Sequence, residues 1–185
     1  AAEHNCAEVA LHCQLSLATM NVCSISRGPD GHAGKLRYLF DQVKAHGLNL
    51  VGVQEGRNDA THSTSHGICR ICAGHYDGQY GVELWVNLQQ PIAYDGCKRP
   101  FYLQPHHLQV AHCDPQRLIV RCHLEVLSLW IFVAHAPHSG HTRQVRTEWW
   151  ARTQELIDHY GEGTPWIWLI DANAAPGTAD QCTVF

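Results

Sequence analysis

The chain has 185 residues, with 13 Lys and Arg against 17 Asp and Glu, a formal net charge of −4 and 45% hydrophobic residues. That is enough chain for one domain with a sizeable core and carries no signature of disorder. The acidic balance excludes a strongly basic, nucleic-acid-coating surface, although not a nuclease, whose metal site must itself be acidic.

No apolar run approaches the length of a membrane span. The 15 His are scattered without tight ligand spacing, which reads as surface and turn residues. The nine Cys are an odd number spread through apparent strands and loops, and no signal peptide begins the chain. Reduced thiols and an intracellular setting, the nucleus included, are therefore expected.

In chain order, residues 9–20 carry Leu11, Cys13, Leu15 and Leu17 on alternate positions, the period of a strand that delivers Asn21 to its end. A turn-rich loop from Ser24 to Gly34 follows. Leu36, Leu39, Phe40 and Val43 then recur at helical spacing, predicting an amphipathic helix from about His32 to Ala45 that Gly47 stops. The β-branched run Leu48 to Val53 suits a buried strand ending in Gln54-Glu55-Gly56-Arg57. Strand, helix and strand make a βαβ unit, so the two strands are expected to be parallel, with Asn21 and Glu55 on one sheet edge.

Residues 58–79 are polar and rich in Gly and His, which predicts a long loop. Cys69 and Cys72 lie in it beside His62, His66 and His75, but no second ligand pair has the usual spacing. Isolated thiols are the favoured account over a structural zinc. Strands are predicted over 81–86, 108–111, 117–122 and 126–134, with short turns that suggest antiparallel neighbours. The last delivers His135-Ala136-Pro137-His138, either an acid-base group at the same edge or a plain loop His before a Pro.

A second helix is predicted from about Thr142 to His159, with Val145, Trp149, Leu156 and Ile157 toward the core and Arg143, Arg146, Glu155 and Asp158 outward. After Gly161 and Gly163, the run Trp166 to Ile170 reads as a strand buried on both faces. Asp171 and Asn173 follow two residues apart, so they should point the same way. Such a pair either starts a turn or holds a metal ion and orients a water. With no linker and no internal repeat, a single α/β domain over 1–185 is the simplest partition.

The set Asn21, Gln54-Glu55-Gly56-Arg57, His135-Ala136-Pro137-His138 and Asp171-Ala172-Asn173 resembles, in order and context, the endonuclease/exonuclease/phosphatase superfamily, the fold of deoxyribonuclease I. Its diction is further similar to endonuclease domains of non-LTR retrotransposons. The resemblance implies a four-layer α/β/β/α sandwich and a Mg²⁺-dependent phosphodiester hydrolase, with Mn²⁺ able to stand in, acting on DNA and carried within a larger polyprotein. It implies Glu55 as metal ligand with Asn21 in support, and Asp171 and Asn173 as the groups that orient water and contact the scissile phosphate. His135 would be the catalytic histidine, donating a proton as imidazolium, with Arg57 and His138 as substrate contacts. Glu83 is a further candidate for orienting His135.

The chain also departs from that family. Members carry a further portion after the Asp-x-Asn strand, ending in a late-strand Asp-His pair, and no such pair follows Asn173. A truncated member is expected, lacking the last strands of one sheet, with weak or absent activity in isolation. Two other readings stay open: a phosphatase of the same fold acting on a small phosphorylated substrate, and a catalytically incomplete binding module.

Overall fold

The structure, a computed structural model, describes residues 12–25, 33–125, 127–161 and 163–173. In chain order the elements are β1 (His12–Cys13), β2 (Leu17–Asn21), α1 (Ala33–Ala45), β3 (Leu50–Gln54), β4 (Thr61–Ser65), β5 (Ile68–Cys72), β6 (Glu83–Asn87), β7 (Pro91–Tyr94), β8 (Pro100–Tyr102), a short 3₁₀ turn (Pro105–His107), β9 (Leu108–Asp114), β10 (Arg117–Leu124), β11 (Leu127–His135), α2 (Arg143–Tyr160) and β12 (Trp166–Asp171). They form a five-stranded sheet in the order β2-β3-β6-β5-β4, a four-stranded sheet in the order β12-β11-β10-β9, and a small three-stranded sheet, β1-β7-β8. Within the two larger sheets, β2 pairs parallel with β3 and β11 with β12, while the other neighbours are antiparallel.

Strand alternation sorts the apolar side chains into three layers of packing. Leu50, Leu84 and Val86 of one sheet meet Leu118, Ile131, Val133 and Leu169 of the other, forming the core between the sheets. Val51, Val53, Ile68 and Trp85 point to the opposite face of the five-stranded sheet and are covered by Phe40 and Val43 of α1. Ile119, Trp130, Phe132 and Ala134 are likewise covered by Trp149 and Leu156 of α2. The result is the expected α/β/β/α sandwich. Gly52 permits the close approach of the sheets, because a Cβ there would collide with Leu169 Cβ and stand 2.9 Å from the Leu169 carbonyl oxygen.

Both helices lie where the periodicity puts them, and Thr142 caps α2 by accepting from the Val145 amide at 3.3 Å. Val145, however, is 42% exposed rather than core, because it falls in the first turn of α2, before the helix reaches the sheet. Asp158-His159, an adjacent Asp-His within the chain, sits on the exposed side of the last turn of α2 rather than on a strand.

Three other expectations need correction. The predicted first strand is broken at residues 14–16, where the Asn49 side chain accepts from the Ser16 amide at 2.8 Å; β1 joins β7 while β2 joins β3, and residues 9–11 lie outside the described residues. The loop expected over 58–79 contains the hairpin of β4 and β5, whose two-residue turn places both His66 and Gly67 at positive φ. Strand β4 looked like loop because it is a fully exposed sheet edge with a polar sequence. Strand β12 is not buried on both faces: it is the edge of its sheet, and Trp168 is 41% exposed.

All the cysteines among the described residues are free thiols, and Cys69 and Cys72 are buried in β5 rather than grouped as ligands. Among the described residues no helix is long and apolar enough to cross a membrane.

Candidate active site

Two parallel strand pairs finish at one edge of the sandwich. Asn21 stands opposite Gln54 at the end of β2 and β3, and His135 stands opposite Asp171 at the end of β11 and β12. Leu50 and Gly52 precede Gln54 on the same face, Ile131 and Val133 precede His135, and Ile167 and Leu169 precede Asp171. Those residues face the space between the sheets, so period two sends the polar end residues there as well. Four side chains from two sheets thus meet; on β3, β11 and β12 the core face runs on one step past its last inward residue, and on β2 Asn21 follows Thr19 on the face that meets Gln54.

Gln54 is the buried floor of this meeting point. Its Nε2 donates to the Leu169 carbonyl oxygen at 3.1 Å, tying β3 to β12, and its amide exchanges hydrogen bonds of 2.9 and 3.1 Å with Thr19 Oγ1. Above it, Asn21 Nδ2 donates to Glu55 Oε1 at 2.8 Å and to Asp171 Oδ2 at 3.2 Å. Asn21 Oδ1 is turned away and accepts from the Cys23 amide at 3.1 Å. Asn21 therefore aligns the two carboxylates and, in this arrangement, presents no oxygen to an ion held between them.

Glu55 Oε2 accepts from Arg57 Nη2 at 2.8 Å. Asp171 Oδ1 accepts from the Asn173 amide at 3.1 Å, and Asn173 Nδ2 donates to the Ala136 carbonyl oxygen at 2.7 Å. The turn and the site are thus one device: the bond that closes the turn also fixes the Asp171 carboxylate. His135 Nε2 lies 3.9 Å from Asp171 Oδ2, too far for a direct hydrogen bond. Tyr80 meets the His135 ring edge-on at 6.0 Å between centroids.

The backbone here is unusual. Glu55 and Arg57 both adopt φ +56° and Asn173 φ +48°, the left-handed region. Asn tolerates that region, but Glu and Arg occupy it only when neighbours enforce it. Enforcement comes from three main-chain bonds: Ser24 N to the Glu55 carbonyl at 2.8 Å, Ile25 N to that of Gly56 at 3.1 Å, and Gly56 N to that of Gly81 at 2.8 Å.

Electrostatics separate the titratable groups. The Asn21 hydrogen bond, with help from Arg57 and against partial burial, holds the Glu55 carboxyl below the usual carboxylate range, so it is ionised at neutral pH. Burial pushes the His135 pKa down and outweighs the opposing pull of Asp171 and Glu55. Burial thus works against the imidazolium that the resemblance implies, and the two carboxylates work for it. Its Nδ1 is buried with no hydrogen-bond partner among the described residues.

Glu83 does not orient His135. It shares the outer-face parity of Trp85, and its carboxylate is taken by Arg70, Asn58 and Trp85. His138 also stands outside the bonded cluster, with Nδ1 accepting from the Gly140 amide at 3.0 Å and its ring against His141. The structure therefore brings together Asn21, Glu55, Arg57, Asp171 and Asn173, sets His135 beside them and leaves His138 on the following loop. Thr19 and Tyr80 were not singled out from the sequence, and Gln54 was quoted only within Gln54-Glu55-Gly56-Arg57, with no role of its own. For Gln54, its place on the core-facing parity of β3 was the available signal; for Tyr80 there was none.

Thr19, Asn21, Gln54, Asp171 and Asn173 line a cleft of about 490 Å³. Among the described residues, no group of three or more His, Cys, Asp or Glu makes a closed metal cage. One ionised carboxylate, with a second held beside it by the same amide, is an all-oxygen donor set. That set fits Mg²⁺, which takes one or two carboxylates and keeps much of its water, and does not fit a structural zinc.

No family model matches the sequence, and no curated protein is similar to it. Solved structures do match in fold. The endonuclease domain of TRAS1, a telomere-specific non-LTR retrotransposon, superposes over 88% of this chain and 60% of its own, with a TM-score of 0.55 and 12% identity. A D. rerio TDP2 humanized by 14 mutations does so over 90% and 64%, with a TM-score of 0.57 and 14% identity. A mannosyl-6-phosphatase of Bacteroides thetaiotaomicron does so over 91% and 68%, with a TM-score of 0.58 and 15% identity. The chain thus spans about 60 to 68% of the length of these structures. Together with two βαβ units that meet edge to edge across a double sheet, these likenesses give the chain the deoxyribonuclease I-like fold of the endonuclease/exonuclease/phosphatase superfamily.

Proposed function

We propose that the chain hydrolyses phosphate esters with a bound divalent cation, and that its substrate is a DNA phosphodiester. The observation that carries this reading is the double hydrogen bond of Asn21, which joins Glu55 and Asp171 from different sheets at the cleft. No purely structural need explains two carboxylates drawn together at an exposed edge, where each could be solvated separately.

A phosphodiester is anionic and repels nucleophiles, and a bound Mg²⁺ would supply charge neutralisation at the phosphoryl oxygens. Glu55 is the residue that would hold it, being ionised and anchored on both oxygens by Asn21 and Arg57. Asp171, fixed by the Asn173 amide, would accept a proton from the attacking water. His135, largely shielded from water, would hold the phosphate through Nε2. Asn173, at the mouth of the cleft, would contact the phosphate, and Arg57 and His138 would meet the flanking backbone.

DNA is favoured over a small phosphorylated substrate because the cleft that the described residues form is an open edge. The likeness to a retrotransposon endonuclease domain supports the same choice.

Nicking of supercoiled plasmid with Mg²⁺, with chelator and by Asp171→Ala tests the proposal, with p-nitrophenyl phosphate as a second substrate. Weak, Mg²⁺-dependent nicking that Asp171→Ala loses is expected. Hydrolysis of the small ester without nicking would shift the reading to a phosphatase, and equal rates for wild type and variant on both substrates would overturn it.

A further inference from the structure

A charged pair is buried on the outer face of the five-stranded sheet, where the proposed chemistry does not use it. Glu83 is 1% exposed. Its Oε2 accepts from Arg70 Nη2 at 2.8 Å, Arg70 Nε at 3.2 Å and Trp85 Nε1 at 2.6 Å, while Oε1 accepts from Asn58 Nδ2 at 2.6 Å. Burying an ion pair in place of apolar side chains is a poor source of stability, so its presence on this face calls for another account.

The account lies directly above it. The carboxylate of Glu83 occupies the space a Cβ on Gly56 would take, and Asn58 Nδ2 bonds both Glu83 and the Gly56 carbonyl oxygen, at 3.2 Å for the latter. The Gly56 amide is held by the Gly81 carbonyl at 2.8 Å. Gly81 in turn leaves room for the Arg57 amide, which would stand 2.7 Å from a Cβ at that position. The segment from Glu55 to Asn58 is therefore pressed onto the start of β6 and pinned at both polar groups of Gly56. That is the peptide between the two residues at φ +56°.

We infer that Glu83, fixed by Arg70 and Trp85, is a positioning residue that holds the left-handed Glu55-Gly56-Arg57 turn through Asn58, and so sets where the Glu55 carboxylate stands for its cation. The inference rests on the proposed role of Glu55 as the ion's donor. Arg70 and Glu83 touch neither the cleft nor any group in it. Their effect passes through backbone geometry alone.

The test uses the chain with Asn58→Ala, Glu83→Gln and Glu55→Ala, reading Mn²⁺ binding by calorimetry and amide hydrogen exchange by NMR. Asn58→Ala removes the link and leaves the buried ion pair whole, so it is the variant least exposed to a folding defect. It should speed exchange at Gly56 by about ten-fold and weaken Mn²⁺ binding by a similar factor, with exchange at Val51 and Val53 of β3 unchanged. Glu83→Gln should do the same or more. Faster exchange that came only from lost global stability would appear at the β3 amides too and would overturn the inference. So would unchanged Gly56 exchange in both variants. If Glu55→Ala leaves Mn²⁺ binding as it was, or wild type binds none, the donor role of Glu55 fails, and Gly56 exchange still decides whether Glu83 holds the turn.

Discussion

Asn21 Nδ2 lies 3.2 Å from Asp171 Oδ2, although 150 positions separate them in the chain and they belong to different sheets. The same nitrogen bonds Glu55, so one amide sets the distance between the two carboxylates. Asn21→Ala should lower Mg²⁺-dependent nicking by about 10²-fold, the usual loss on removing one preorganised polar group from such a site. Because Asn21 is exposed, its urea midpoint should barely move. Equal losses of activity and stability would show that the amide serves the fold instead.

Gly52→Ala should act on the sandwich itself. The added Cβ meets Leu169 Cβ, the Leu169 carbonyl oxygen at 2.9 Å and Val133 Cγ1 at 3.2 Å, so backbone as well as side chain must move. A loss of about 1–3 kcal/mol in urea unfolding is expected from such overpacking. Activity should fall with it, since the sheets part next to the cleft.

Gln54→Ala separates packing from polar satisfaction. It removes the side-chain tie to the Leu169 carbonyl oxygen, which the β11–β12 ladder also engages, and takes its amide partner from the Thr19 hydroxyl beneath the cleft. About 0.5–1.5 kcal/mol of stability should be lost per bond removed, the net worth of an intramolecular hydrogen bond. Chemical denaturation of the variant beside Thr19→Val would reveal how much of that loss the two residues share.

Acidification should weaken the fold in two windows. His135 has its folded pKa below the ordinary 6.5, so the unfolded chain takes up the proton first. Its contribution is complete above 6.5 and lost as pH falls through the lower folded value. Glu55, lowered from 4.5, keeps its contribution above that value and loses it as pH drops through its own folded pKa. Urea midpoints measured across the range should lose the first window in His135→Asn and the second in Glu55→Gln.

The parts of this fold that sequence reading recovered are those where one period dominates. Leu36, Leu39, Phe40 and Val43 mark α1, and the runs before Gln54 and His135 mark strands whose polar ends became the site. Strands without a contrast between an apolar and a polar face escaped it. Thr61 to Ser65 is wholly exposed and has no apolar face to betray it, although the His66-Gly67 turn was readable. Trp166 to Ile170 failed oppositely: its composition suited a central strand, but its position at the sheet edge depends on pairing that no local pattern encodes. The Glu83 carboxylate was visible as a charge on a strand, but only the register of β6 against β5 shows that Arg70 waits beside it.

Since the two βαβ units belong to different sheets, neither half alone contains the cleft. Gln54 reaches Leu169 across 115 positions, and Asn21 reaches Asp171 across 150. Contacts of that span close late and slow the search for the native state. A nascent chain in which β2, α1 and β3 have already formed would hold Glu55 and Arg57 but not Asp171. The cleft is therefore assembled only on docking of the second sheet, and any partly folded form would lack it.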